Sequence, residues 1–359
     1  MDQRYTSSPS IGIIADDLTS AADGGGPFVK KGLRTTVYRN LRNWASPTIP
    51  DVVAIDCASR SMSAAQAART VEQATRAVAD YSILFKTIDS TLRGHVCEEM
   101  QAAYLASNRS RVVIAPAFPE AGRITVNGIQ YVNGQPVDAS SYASDPVHPT
   151  KTSRIADLIP AEIKDAIILD SENQSDLNAQ VAAIDNPEDV LWVGSPGLAQ
   201  ALAEVASRDE QHIAATPFAE HSLVVVGSAN AISRAQAMQV LDCSFAKCIV
   251  APDSRTNDPQ AALAAIVKKT VVMLENKDIT ALIATGGDTM QAILEKLNID
   301  AFDLIGEFES GFPMGLSKMA DGRSLVLGMK AGGFGDANTL YSAVERLHRN
   351  VTLRLREKT

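Results

Sequence analysis

No lysine- or arginine-rich block occurs anywhere in the chain, and its formal charge is −9 with a pI near 5.1. An acidic chain whose basic residues are scattered repels polyanions, which excludes sequence-independent binding to nucleic acid or to an anionic membrane surface. Long apolar runs are missing too. The first ten residues, MDQRYTSSPS, are polar, and the run after them, IGIIA, is too short for a signal-peptide core or a membrane span. These absences predict a cytoplasmic protein whose partners are small molecules. Cysteine is sparse, with four residues at 57, 97, 243 and 248, and only CSFAKC brings two of them close, without histidines nearby. Free thiols in a reducing compartment are expected rather than a zinc site. Neither GxxxxGK[ST] nor a GxGxxG after the first strand is present, so a P-loop enzyme and a standard dinucleotide fold lack support.

What is present is enough apolar material for sizeable cores: 45% of 359 residues are hydrophobic and 21% charged. That length exceeds what one core usually serves, so two domains are expected. The N-terminal half alternates short apolar runs (IGIIA, TTVY, DVVAID, SILFKT, RVVIAPA) with helix-like segments such as SAAQAARTVEQATRAVAD and CEEMQAAYLASN. Continuously apolar strands separated by amphipathic helices predict an α/β domain with a largely parallel sheet covered on both faces. Residues 119–153 break the rhythm with two Asn-Gly pairs and prolines at 136, 146 and 149. They read as a hairpin-rich excursion, of the kind used for lids and binding loops, and as a candidate homodimer contact. After AIILD and VLWVGSPGLAQALAEVA, the polar stretch around 207–222 precedes a fresh strand. The boundary is therefore placed between domains 1–215 and 216–359, the second again α/β.

The second half carries three glycine-bearing turns, each after an apolar run. In ALIATGGDTMQAILEKL (281–297), Gly286 and Gly287 lie between a strand and a helix, with Asp288 and Thr289 at the helix start. A helix beginning there presents unpaired N–H groups and its positive dipole end, which suits phosphate; the alternative is that Asp288 or Thr289 merely caps the helix. VVVGSAN places Gly227 and Ser228 at a second strand end, and LGMKAGGFGD places Gly332, Gly333 and Gly335 at a third. Ligands of α/β sheets bind beyond the carboxyl ends of strands, so three such turns converging in one domain point to a nucleotide.

The first domain offers different chemistry. Asp16 and Asp17 end its first strand in ADDLTSAAD; Arg60 follows DVVAID; Lys86, Asp89, Ser90, Thr91 and Arg93 crowd KTIDSTLRGH; Glu120 and Arg123 follow RVVIAPA. Carboxylates, hydroxyls and guanidinium groups at several strand ends suit a small polyhydroxylated anion, since arginine can hold a carboxylate in two parallel hydrogen bonds. For any one of these residues taken alone, a surface salt bridge or helix cap is the plainer reading.

In order along the chain, ADDLTSAAD (15–23), KTIDSTLRGH (86–95), PAFPEAGRITVNGIQYVNGQPV (116–137), VGSPGLA (193–199), TGGDT (285–289) and GGFGD (332–336) resemble the four-carbon acid sugar kinase family. The resemblance spans nearly the whole chain. It implies an N-terminal domain for a sugar acid such as threonate, erythronate or an oxo-tetronate, and a C-terminal domain for ATP with Mg2+. Substrate and ATP would meet at the interdomain cleft, and the product would be the 4-phosphate. Carried across by position, Asp16, Arg60, Lys86 and Arg93 would bind the acid, with Arg123 on the excursion as a further candidate. Asp17 is nominated as the base and Asp89 as the alternative. Ser228, Gly286, Gly287, Asp288, Thr289, Gly332 and Gly333 would bind ATP, and no metal ligand is assigned. D-threonate is taken as the first substrate. The motifs also depart from the family pattern: Ser20 stands where glycine is usual, Asn230 where a serine is usual, and AGGFG where SGNFG is common. A non-catalytic sensor of the same body and a kinase for a longer aldonate stay open at this point.

Overall fold

The computed structural model describes residues 10–40, 50–145, 148–207, 217–227, 230–252 and 258–356. The chain divides into two compact units, Met1–His212 and Ile213–Thr359; the boundary expected after residue 215 lies outside the described residues.

The first unit runs β1 (Ile11–Ala15), α1 (Leu18–Lys30), β2 (Thr35–Tyr38), β3 (Val52–Asp56), α2 (Ala64–Ala77), β4 (Ile83–Thr87), α3 (Val96–Ser107) and β5 (Arg111–Ala115). A small sheet follows, β6 (Arg123–Val126), β7 (Ile129–Val132) and β8 (Gln135–Pro136). The main fold then resumes with β9 (Ala166–Ile168), α4 (Gln174–Ala182), β10 (Val190–Gly194) and α5 (Pro196–Val205). The main strands lie in the order β2-β3-β1-β4-β10-β5-β9, all parallel. Every residue of β1, β3, β4 and β10 is buried, because helices form two layers, α2 with α3, and α1 with α5 and α4. The run Gly24-Gly25-Gly26 in α1 has a packing reason at Gly24. A Cβ there would sit 3.1 Å from Thr87 Cγ2 and 3.3 Å from Ile13 Cγ2, so glycine lets the helix lie close on β1 and β4.

Strand order reverses at β1, with β3 on one side and β4 on the other, paired at Ala15↔Asp56 and Ile14↔Lys86. Such a reversal opens a crevice beyond the strands' carboxyl ends. The small sheet turns at Asn127-Gly128 and Asn133-Gly134, all four residues at positive φ, as tight hairpin turns require. Gln130, fully buried in β7, fastens this sheet to the crevice by donating to Ser90 O at 2.8 Å and Pro116 O at 3.1 Å.

The second unit runs β11 (His221–Val226), α6 (Ala231–Leu241), β12 (Ala246–Val250), α7 (Pro259–Leu274), β13 (Ile279–Thr285), α8 (Gly287–Lys296), β14 (Ala301–Glu309), β15 (Phe312–Lys318), β16 (Ser324–Lys330) and α9 (Thr339–Arg356). Its order is β12-β11-β13-β16-β15-β14, the first four parallel and the last two antiparallel. Val224, Ile283, Phe312 and Met314 meet Leu340, Val344 and Leu347 of α9 in its core, each large side chain stabilising the fold by about 1.5–3 kcal/mol on burial. Among the described residues no helix is long and apolar enough to cross a membrane.

Candidate functional site: two strand-end clusters

In the first unit, the parallel register of β3, β1 and β4 sets their ends side by side. Asp16 and Asp17 leave β1, Arg60 leaves β3 after a turn through Ala58 (φ 49), and Asp89 leaves β4. The Arg60 loop is pinned by its own backbone, Ser59 N and Arg60 N both donating to Asp16 O at 2.9 and 3.2 Å. Arg60 Nε then donates to Asp16 Oδ2 at 2.7 Å, another nitrogen pairs with Asp17, and Nη2 lies 3.8 Å from Asp89 Oδ2. The Ser20 hydroxyl accepts from Arg60 Nη2 at 3.3 Å, while its N–H donates to Oδ1 of Asp17, the residue that caps α1.

Asp89 also accepts from Arg93 Nη2 at 2.6 Å and from Thr91. Arg93 Nη1 reaches Asp145 at 3.1 Å, and its guanidinium stacks 5.1 Å above the Tyr142 ring. Arg123 donates to the Tyr142 hydroxyl at 3.2 Å and to Ala121 O at 2.9 Å, so it joins the cluster through Tyr142. The excursion is thereby bonded to the crevice, a tie completed by Thr150, whose hydroxyl donates to Thr91 O at 2.7 Å. Lys86 lies beneath: it is fully buried, with Nζ 2.8 Å from Glu99 Oε2 and 2.6 Å from Thr87 O.

A shallow pocket opens here, lined among others by Asp16, Thr87, Asp89, Arg93, His95 and Glu99. Two of its buried polar atoms, Asp16 Oδ1 and Thr87 Oγ1, have no hydrogen-bond partner among the described residues. The carboxyls differ in acidity although they are neighbours. Burial disfavours the charge on each. Arg60 and Lys86 outweigh it at Asp16, whose pKa is held below the usual carboxylate range. Arg93 and Arg60 do so more strongly at Asp89, holding it far below that range. At Asp17 burial prevails over Arg60, and the adjacent Asp16 charge adds to it, so Asp17 is raised. Asp56, which ends β3, is pushed up to about 8 by burial and by the Asp17 charge, against the Ala58 N–H bond and Arg39.

In the second unit β11, β13 and β16 are adjacent and parallel, which brings the three glycine turns together. Gly227 and Thr289 touch so closely that a Cβ on the glycine would fall 1.9 Å from Thr289 Oγ1, and a Cβ on Gly333 would meet Asn230 Nδ2 at 3.4 Å. Gly332 O accepts from Ser233 of α6. Asn230 caps α6 through Ile232 N at 2.9 Å. The N-cap of α8 is Gly286 (φ 91), with no side-chain cap, so neither Asp288 nor Thr289 plays the capping role that the sequence left open. Among the described residues, Thr285 Oγ1 has no hydrogen-bond partner and is buried beside this turn. Uncapped N–H groups, glycines that let a ligand approach and an unused hydroxyl fit a polyphosphate. Ser228 lies outside the described residues.

Comparison with known proteins agrees with this division. A model described as a sugar-binding N-terminal domain matches residues 11–167, and one described as a nucleotide-binding C-terminal domain matches residues 250–340. A D-threonate kinase of Salmonella typhimurium is 30% identical, the match covering 92% of this chain and 97% of that protein. The chain belongs to the four-carbon acid sugar kinase family. Another relative, a 3-oxo-tetronate kinase of Methylobacterium radiotolerans, is 25% identical over 95% of this chain and all of that one. Among solved structures, the Haemophilus influenzae protein has a TM-score of 0.73 at 19% identity, covering 94% of this chain and 100% of that one, a likeness of fold. A domain of unknown function from Bordetella bronchiseptica, with bound citrate and as a domain-swapped dimer, has a TM-score of 0.52 at 27% identity, over 95% and 99% of the two chains.

Within this family member, sequence reasoning missed Asp56, Thr87, Glu99, Tyr142, Asp145 and Lys330. Asp56 and Thr87 each stand at a strand's last position, a signal open to use. Tyr142 and Asp145 lie some fifty residues from Arg93, and Glu99 is in a helix, so only the fold reveals them.

Proposed function

We propose that the protein transfers the γ-phosphoryl group of ATP to the terminal hydroxyl of a four-carbon sugar acid. D-threonate is the first choice, with D-erythronate and 3-oxo-tetronate as alternatives, since relatives carry all three names. The observation that carries this reading is the small pocket of the first unit. Arg93 in its lining, with Arg60 beside Asp16 and Asp89, suits a carboxylate, and the unpartnered Asp16 Oδ1 and Thr87 Oγ1 suit hydroxyls. The names of the relatives, all of four-carbon acids, favour such an acid over a longer aldonate.

In this reading Arg93 and Arg60 bind the carboxylate, while Asp16 and Asp89 accept from the hydroxyls. Lys86, sealed under the pocket against Glu99, holds Asp16 ionised and does not touch the acid itself. Arg123 acts through Tyr142, which sets the plane of Arg93. Asp17 takes the proton of the attacking hydroxyl: it is partly open to solvent and raised, whereas Asp89 is held too acidic by its two arginines to compete. In the second unit, the N–H groups of Gly287, Asp288, Thr289, Gly332 and Gly333 hold the phosphates. Magnesium, arriving with the nucleotide, would supply charge neutralisation on the phosphate oxygens. The sensor alternative loses ground because a base in a pocket is more than binding requires. The Bordetella dimer favours a homodimer here as well, which light scattering on the purified protein tests.

The site of phosphorylation is the direct test. After incubation with MgATP and D-threonate, phosphorus NMR should show a phosphate ester on the terminal carbon. An ester on another hydroxyl, or an acyl phosphate, would contradict the placing of the carboxylate on the arginines.

A further inference from the structure

Lys330 ends β16 and is buried, yet no carboxylate pairs with it among the described residues. Its ammonium donates instead to backbone carbonyls of the turn that follows, Ala331 O and Phe334 O at 2.8 Å and Gly332 O at 3.5 Å. Its own carbonyl accepts from Gly286 N at 2.9 Å. One residue thus joins two of the three glycine turns, its side chain beneath one and its backbone against the other. Neighbours on α6 finish the arrangement: Ser233 donates to Gly332 O, and Gln236 Nε2 donates to Phe334 O at 3.0 Å. With its carbonyls taken up from below, the turn keeps the N–H groups of Gly332, Gly333 and Gly335 without partners among the described residues. An amide array above a buried cation is a device for binding anions.

Resting on the kinase reading above, we infer that Lys330 is a positioning residue for the nucleotide: its ammonium draws the turn's carbonyls inward, turns its N–H groups toward a phosphate and adds a positive field beneath them. It does this through the turn, without touching the phosphate. A lysine buried without a counter-ion is costly unless its charge is used. Burial lowers Lys330 to about 8, with Glu309 at the end of β14 opposing. Other charged side chains on the surrounding elements are Asp288, Glu295 and Lys296 of α8, Arg234 of α6, Asp303 and Glu307 of β14, and Asp336 beyond the turn. An arriving polyphosphate favours the ammonium form, so binding near pH 8 takes up protons.

The test is calorimetric titration of the full-length protein with a non-hydrolysable ATP analogue and magnesium at about pH 8, in two buffers of different ionisation enthalpy. The wild type should bind with net proton uptake. Lys330→Met and Lys330→Gln should bind about tenfold or more weakly, with that extra uptake gone and the affinity for the sugar acid unchanged. Equal nucleotide affinity in wild type and variants, or equal loss of nucleotide and acid binding, overturns the inference while leaving the kinase reading standing. Absence of nucleotide binding to the wild type overturns both. If the variants do not fold, the wild type decides alone: no proton uptake near pH 8 rejects the role.

Discussion

Arg60 Nε lies 2.7 Å from Asp16 Oδ2, and the same guanidinium also pairs with Asp17 and stands 3.8 Å from Asp89. One cation therefore serves three carboxylates from the ends of two neighbouring strands. Because Arg60 is shared, its effect is uneven: Asp16 also gains Lys86 and Asp89 also gains Arg93, while Asp17 gains no second cation and feels the repulsion of Asp16 against its Ser20 hydrogen bonds. That inequality sets Asp17 apart from its two neighbours within one strand-end cluster.

Asp17→Asn should lower turnover by about 10²–10⁴-fold while nucleotide affinity stays within about twofold, since a base acts only as the proton leaves. The wild-type rate should rise with pH as Asp17 ionises, because only its carboxylate accepts a proton. Steady-state kinetics with parallel nucleotide titration measure both. Near-normal turnover would remove Asp17 from the role and turn attention to Asp89.

Arg93→Ala should raise KM for the acid by about tenfold to a hundredfold and leave KM for ATP unchanged, as expected when a charge-assisted contact worth about 1.5–3 kcal/mol is lost. Tyr142→Ala should have a smaller effect in the same direction, about threefold, through loss of the ring under the guanidinium. If both variants raised the two KM values equally, the arginine would be structural.

Asp56→Asn should stabilise the protein, and more so as pH rises. With Asp56 raised to about 8, the folded state keeps a proton that the unfolded chain gives up above the ordinary value of 3.8. Its contribution to stability is intact below the unfolded value and is lost as pH climbs through the folded one. Asparagine does not titrate, so urea unfolding should find a gain of about 1–3 kcal/mol near neutrality, shrinking toward acid pH. A gain independent of pH would contradict the proton on Asp56.

Gly227→Ala should weaken nucleotide binding strongly with little effect on the acid. Its Cβ would enter the space of Thr289 Oγ1 and separate the first two turns. Gly286→Ala acts by another route, since alanine resists a φ of 91. Calorimetry on each variant provides the comparison. Unchanged nucleotide affinity in both would place the phosphates elsewhere.

Much of the fold was legible because its strands are continuously apolar: IGIIA, DVVAID and ALIAT announce buried parallel strands, and Asn127-Gly128 announces a hairpin turn. The site was legible only in part. Asp16, Asp17, Asp89 and Arg93 sit in short motifs next to a strand, so proximity in sequence stands in for proximity in space. The Arg93–Asp145 pair has no such proxy, because a separation of 52 residues is closed by the excursion folding back. The β14–β15 hairpin, turning at Gly311 (φ 79) in FESGFPMGL, has a fainter sequence signal, because Ser-Gly marks a hairpin turn more weakly than Asn-Gly. Lys330 was hidden for a different reason: a lysine at a strand end reads as solvated, and only the three-dimensional structure shows it buried under carbonyls.

The central claim is that this chain phosphorylates a four-carbon sugar acid, and ATP consumption tests it most directly. The purified protein would be assayed with magnesium against D- and L-threonate, D- and L-erythronate, their oxo-tetronates and longer aldonates. The account predicts turnover with one four-carbon acid, D-threonate foremost, far above every longer acid. Turnover only with a longer aldonate, or none at all alongside measurable ATP binding, would contradict it.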